Sequence, residues 1–128
     1  MDLGLQGKWA LVCGASKGLG WGCAQALAQE GVNVVMAARG AEVLNAAAQS
    51  LRDQTGVQVL AVAADVTTPA GREALFDVSG GPGRAFDIVV TNAGGPPPGD
   101  FRQWGRDEWL QAVDANMLTP IELIKATV

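Results

Sequence analysis

The sequence predicts an α/β domain built on a doubly wound parallel sheet, incomplete, with four β-α units in strand order 3-2-1-4. Three observations predict it. Short continuous apolar runs alternate with stretches of helical spacing along the whole chain, as expected for strands joined by helices. The first run ends in a glycine-rich turn that opens onto a helix. Parallel strands joined through helices need crossover connections, which are right-handed in nearly all proteins and leave few possible strand orders.

Each element has its own local reason. Residues 9–13, Trp-Ala-Leu-Val-Cys, form an apolar run without alternation, which fits a strand covered on both faces. Small and apolar residues recur at helical spacing over 19–30, and Gly31 supplies a stop. A second strand is predicted over 32–37. The Ala-rich segment 42–54 predicts a helix ended by Gly56, followed by a third strand over 57–63. Thr67-Thr68-Pro69 reads as an N-cap with proline in the first turn, opening a helix to about residue 78. Ser79-Gly80-Gly81-Pro82-Gly83 is a loop, 86–90 a fourth strand, and Gly94-Gly95-Pro96-Pro97-Pro98-Gly99 a stiff non-helical connection. A last helix is predicted from near Arg106 almost to Val128. The fourth strand is left with an unpaired apolar edge, so the sheet is expected to be part of a larger one.

The 128 residues suit a single domain. With 48% hydrophobic and 17% charged residues the chain reads as globular. Thirteen acids against nine bases, a net charge of −4, argue against nucleic acid or an anionic membrane as the main partner. No apolar run approaches the roughly 20 residues that cross a bilayer, and the N-terminus has no basic stretch leading into an apolar one. A cytoplasmic location is the expectation. Cys13 and Cys23 have no metal-like spacing and are read as buried, reduced thiols, and no metal site is expected. The chain has no Tyr and no His, so the two side chains most used for proton transfer near neutral pH are absent.

The turn Cys13-Gly14-Ala15-Ser16-Lys17-Gly18-Leu19-Gly20 carries the most chemistry. Gly14 permits the tight turn, while Gly18 and Gly20 let backbone approach a pyrophosphate and a neighbouring strand. The helix that starts there presents unpaired N–H groups and a positive dipole end to phosphate oxygens. A tight turn with close packing and no ligand is the competing reading. The spacing is G-x-x-x-G-x-G, not G-x-G-x-x-G. It resembles the fingerprint T-G-x-x-x-G-x-G of the short-chain dehydrogenase/reductase family, with Cys13 in place of Thr. Trp21 is a second departure, suited to an oligomer surface or to packing on the helix.

Further matches follow in the family's order. Asp65-Val66, after the third strand, resembles the pair whose acid accepts a hydrogen bond from the adenine amino group; capping the next helix is the alternative. Asn92-Ala93-Gly94, after the fourth strand, resembles the N-A-G motif, whose backbone lines the cofactor ribose and whose Asn ties neighbouring strands together. Asp107-Glu108-Trp109 and Asp114-Ala115-Asn116 resemble the family's fourth helix with its functional Asn. The resemblance covers essentially the whole chain and implies a Rossmann-type fold, a likeness strongest toward 3-oxoacyl-carrier-protein reductases, and a small-molecule carbonyl or alcohol substrate. It also implies that the last helix pairs copies of the chain into a dimer or tetramer. The cofactor-binding set is thus Gly14, Ser16, Lys17, Gly18, Leu19, Gly20, Arg39, Asp65, Val66, Asn92, Ala93 and Gly94.

The second strand ends Met36-Ala37-Ala38-Arg39, without the acid that pairs with the ribose hydroxyls of NAD. Arg39 and Lys17 can instead meet the 2′-phosphate of NADP, so NADP is the expected cofactor; two solvated surface cations are the alternative. Pro120 lies four residues after Asn116. If the helix continues, the Asn116 carbonyl loses its intrahelical donor and becomes a water site. In the family that Asn holds a water in a proton relay, which makes Asn116 the candidate catalytic residue; a kink made only for packing, or a helix ending near Leu118, are the alternatives. The family's Ser and Y-x-x-x-K pair are not found: Ser79 precedes the fourth strand, and Ile121 stands four residues before Lys125. The chain is therefore read as the NADP-binding half of one domain, 1–128, inactive alone. A non-catalytic NADP-binding module remains a competing reading. A flavin-binding or phosphoacceptor domain leaves Arg39, Asp65 and Asn92 without a purpose.

Overall fold

The computed structural model describes residues 2–93 and 98–128. Four parallel strands, β1 (Trp9–Cys13), β2 (Asn33–Ala38), β3 (Val59–Ala63) and β4 (Ile88–Val90), form one sheet in the order β3-β2-β1-β4. Three helices connect them: α1 (Gly18–Gln29), α2 (Ala41–Thr55) and α3 (Pro69–Asp77). After β4 come a 3₁₀ turn (Phe101–Gln103) and a continuous helical run. That run consists of α4 (Arg106–Val113), a π segment (Asp114–Leu118) and α5 (Thr119–Thr127). Architecture and strand order are those predicted. No described helix is long and apolar enough to cross a membrane.

Alternation along the strands builds two cores. Val12, Val34 and Met36 face one side, where they meet Ala24 and Ala28 of α1 and Leu44, Ala48 and Leu51 of α2. Leu11, Cys13, Val35 and Ala37 face the other, against Leu75 and Phe76 of α3, Phe86 and Leu123 of α5. Both faces are covered, which is why these strands read as continuous apolar runs. Trp21 packs against the first core. Cys13 is buried as expected, whereas Cys23 is exposed, because α1 buries the stripe Gly20, Ala24 and Ala28 and position 23 falls beside it.

Element ends follow local chemistry. Gly56 closes α2 in the left-handed conformation at φ 73°. Thr68 caps α3, its Oγ1 accepting the Gly71 N–H at 3.0 Å, with Pro69 in the first turn. The fourth strand is shorter than the predicted 86–90. Asp87 uses its carboxylate to accept the Trp9 N–H at 2.9 Å, so regular pairing starts only at Ile88 opposite Ala10. The last helix does not end near Leu118. It passes Pro120 by widening: the Thr119 N–H bonds to the Asp114 carbonyl, five residues back. A proline ring clashes with the carbonyl four residues before it, here that of Asn116, and a wider turn relieves the clash.

Candidate nucleotide-binding cleft

The chain runs β1 to β2 to β3 in one direction and then returns to place β4 on the other side of β1. Connections therefore diverge at the C-terminal ends of β1 and β4, the position where open α/β sheets form a crevice. A cleft of about 490 Å³ lies there, lined by Gly14, Ala37–Arg39, Ala64–Thr67, Asn92, Ala93 and one face of the α4 and π segments.

The β1-α1 turn is held by close backbone contact. Gly14 has φ 59°, and a Cβ there would stand 2.7 Å from Asn92 Nδ2. A Cβ on Gly20 would fall onto the Gly14 carbonyl oxygen, far inside contact distance. Only hydrogen fits at either position. Asn92 Nδ2 reaches the same carbonyl at 3.5 Å, tying the end of β4 to the turn after β1. Among the described residues no side chain caps α1, which leaves the N–H groups of its first turn free at the positive end of the helix dipole. Lys17 precedes that turn in extended conformation, and Arg39 follows β2; both are exposed, and neither makes an ion pair among the described residues.

Asp65 does not cap α3; Thr68 does. Asp65 Oδ1 accepts two bonds from Thr67, from the backbone N–H at 3.0 Å and the hydroxyl at 2.6 Å. These two bonds, the hydroxyl first, hold the carboxyl below its ordinary pKa, and the charge of Arg39 adds a smaller effect in the same direction. The carboxylate is therefore an ionised acceptor whose second oxygen makes no bond among the described residues.

Of the sequence-predicted residues, Gly14, Arg39, Asp65, Val66, Asn92, Ala93 and Asn116 share the cleft wall. Ser16, Lys17, Gly18, Leu19 and Gly20 are not in that wall; they form the turn and the start of α1 that follow Gly14. Gly94 lies outside the described residues, as do Pro96 and Pro97. The Asn116 side chain folds back, its Nδ2 donating to the Ala112 carbonyl at 3.0 Å, while its own carbonyl has lost its α-helical donor to Pro120. Sequence reasoning missed Thr67 as a wall residue, and also Gln111 and Ala112. Asp-x-Thr spacing is a signal for the Thr67 turn. Nothing local marks the α4 residues, because which side of that helix meets the cleft is settled by packing. No group of metal-ligating side chains occurs among the described residues.

The sequence profile of the short chain dehydrogenase family matches residues 8–128. The chain belongs to that family. Relatives similar to it include the oxidoreductase YvaG of Bacillus subtilis, 34% identical over 98% of this chain and 46% of that protein. The 3-oxoacyl-[acyl-carrier-protein] reductase FabG of Vibrio cholerae is 32% identical over 97% of this chain and 49% of its own length. Among solved structures, an L-sorbose reductase from Gluconobacter frateurii, complexed with NADPH and L-sorbose, superposes with a TM-score of 0.90 at 33% identity. That match covers 99% of this chain and 50% of the reductase. A short-chain dehydrogenase from Sphingobium yanoikuyae in complex with NADPH gives a TM-score of 0.81 at 31% identity, over 94% of this chain and 47% of the other. The chain spans about half the length of the relatives it matches.

Proposed function

We propose that this chain is the nucleotide-binding half of a cytoplasmic, NADP(H)-dependent oxidoreductase acting on the carbonyl or alcohol of a small molecule. The observation that carries the reading is unpaired positive charge: Arg39 lines the cleft and Lys17 precedes the α1 N-terminus, neither makes an ion pair among the described residues, and no acid ends β2. The residues fit the group: Gly14 and Gly20 leave room only for backbone, and the first-turn N–H groups of α1 hold a pyrophosphate. Arg39 and Lys17 would hold the 2′-phosphate, Asp65 would accept from the adenine amino group, and Asn92 and Ala93 would line the ribose. NADPH supplies the hydride when bound. The Asn116 carbonyl, without its helical donor, holds a water on the path of the proton.

The 128 residues contain no Tyr and no His, the two side chains most used for proton transfer near neutral pH. The L-sorbose and 3-oxoacyl reductase relatives support a carbonyl substrate. The exposed apolar face of α4 and α5 supports assembly as a homo-oligomer through that helix.

Equilibrium titration with NADPH and NADH tests the cofactor. NADPH should bind about 10-fold or more tightly, and Arg39→Ala should remove that preference while leaving NADH binding unchanged. Equal affinities in the unmodified chain would overturn the reading.

A further inference from the structure

We propose that Arg72, which stands outside the cleft wall, is a positioning residue that sets the β3–α3 turn before a nucleotide arrives. The inference rests on the reading that an NADP nucleotide occupies the cleft, and deepens it by naming what holds that wall in place. Arg72 lies in the first turn of α3, where the positive end of the helix dipole disfavours a cation, and no acid stands in that turn to offset it. The half-buried Arg72 side chain makes no ion pair among the described residues. It reaches back instead, its Nη1 donating to the Val66 carbonyl, six residues earlier, at 3.0 Å. That carbonyl accounts for a placement that helix electrostatics oppose.

The bond holds one peptide group from both ends. The peptide joining Val66 to Thr67 has its carbonyl on Arg72 and its N–H on Asp65 Oδ1 at 3.0 Å. A peptide group is planar, so fixing its carbonyl also aims its N–H. The guanidinium sits at the oxygen end and the carboxylate at the N–H end, an order in which chained hydrogen bonds strengthen one another. Val66, its side chain packed on the second core, and Asp65 both line the cleft, whereas Arg72 does not. Without Arg72 the Val66–Thr67 peptide can rotate, and a nucleotide must order the turn as it binds. The lost affinity then falls on the part of the ligand that meets this turn.

The test is equilibrium binding to the full chain of NADPH and of its ethenoadenine counterpart, in which the amino edge of the base is closed into a ring. The unmodified chain should prefer NADPH by about 10-fold or more. Arg72→Met, which keeps an apolar stem and removes the donors, should narrow that ratio about 5-fold. Arg72→Lys, whose ammonium can still donate to the Val66 carbonyl, should restore it. Circular dichroism checks that each variant is folded. A general loosening of α3 would weaken both nucleotides alike, so an unchanged ratio in folded Arg72→Met overturns the proposal. Amide hydrogen exchange of the unmodified chain needs no variant: the Thr67 N–H should be protected about 10-fold or more without nucleotide. Protection that appears only with NADPH overturns the proposal as well. Equal binding of both nucleotides by the unmodified chain overturns this inference and leaves the cofactor reading standing. Binding of neither overturns both.

Discussion

The β1–β3 half and the β4–α5 half of the molecule are finished to different degrees. Leu11, Val12, Val34, Val35 and Met36 are fully buried between helices on both faces of the sheet. Across β1, by contrast, Ile88, Val89 and Val90 of β4 are only half-buried and pair along one edge. The helical run beyond them shows Leu110, Met117, Ile121 and Ile124 at 51%, 54%, 46% and 49% exposure. This contiguous apolar stripe is exposed, whereas the first half is a closed core. The cleft lies on the seam between the two. Its β-strand side is anchored in the closed half, and its α4 side in the open one.

Five changes would break or sharpen this contrast. Gly20→Ala has the largest expected effect: its Cβ would drive into the Gly14 carbonyl, at a cost of about 4 kcal/mol or more, with nucleotide binding lost. Urea unfolding and NADPH titration would show both. Leu44→Ala should cost about 3 kcal/mol by urea unfolding, since the packed α2 face cannot collapse around the void.

Burial pushes the Cys13 thiol up to about 11 from 9.0. Its protonated form is favoured in the folded state, so the stabilisation is complete below pH 9.0 and fades as pH rises toward 11. Melting temperatures measured across that range should fall, by the equivalent of about 2–3 kcal/mol, and Cys13→Ala should flatten the decline. In the open half, the buried Thr119 hydroxyl has no partner among the described residues. Thr119→Val should therefore raise stability by about 1 kcal/mol in thermal melts. Met117→Gln completes the contrast with Leu44: it should shift stability by less than about 0.5 kcal/mol while weakening self-association in sedimentation. A loss comparable to Leu44→Ala would mean that the two halves are equally closed.

The strand order, the glycine turn and the N-cap before α3 were legible because each is written in neighbouring residues: apolar runs, Gly14 and Gly20, and Thr68-Pro69. Pro120 likewise announced a disturbance in the last helix. Its form, a five-residue π segment in place of a break or a sharp bend, required knowing that flanking residues such as Thr119 and Leu123 are held by packing. The exposure of Cys23 and the entry of Gln111 and Ala112 into the cleft wall were not legible, since both depend on how a helix is rotated against its neighbours.

By itself, then, the sequence determined the β-α alternation, the parallel sheet, and which backbone stretch can approach a phosphate, because period, glycine placement and capping act over a few residues. Only the tertiary structure decided that Gly14, Arg39, Asp65 and Asn92 share one cleft, and that α4 supplies its far wall. Those features come from contacts between segments tens of residues apart, whose relative rotation no local pattern encodes.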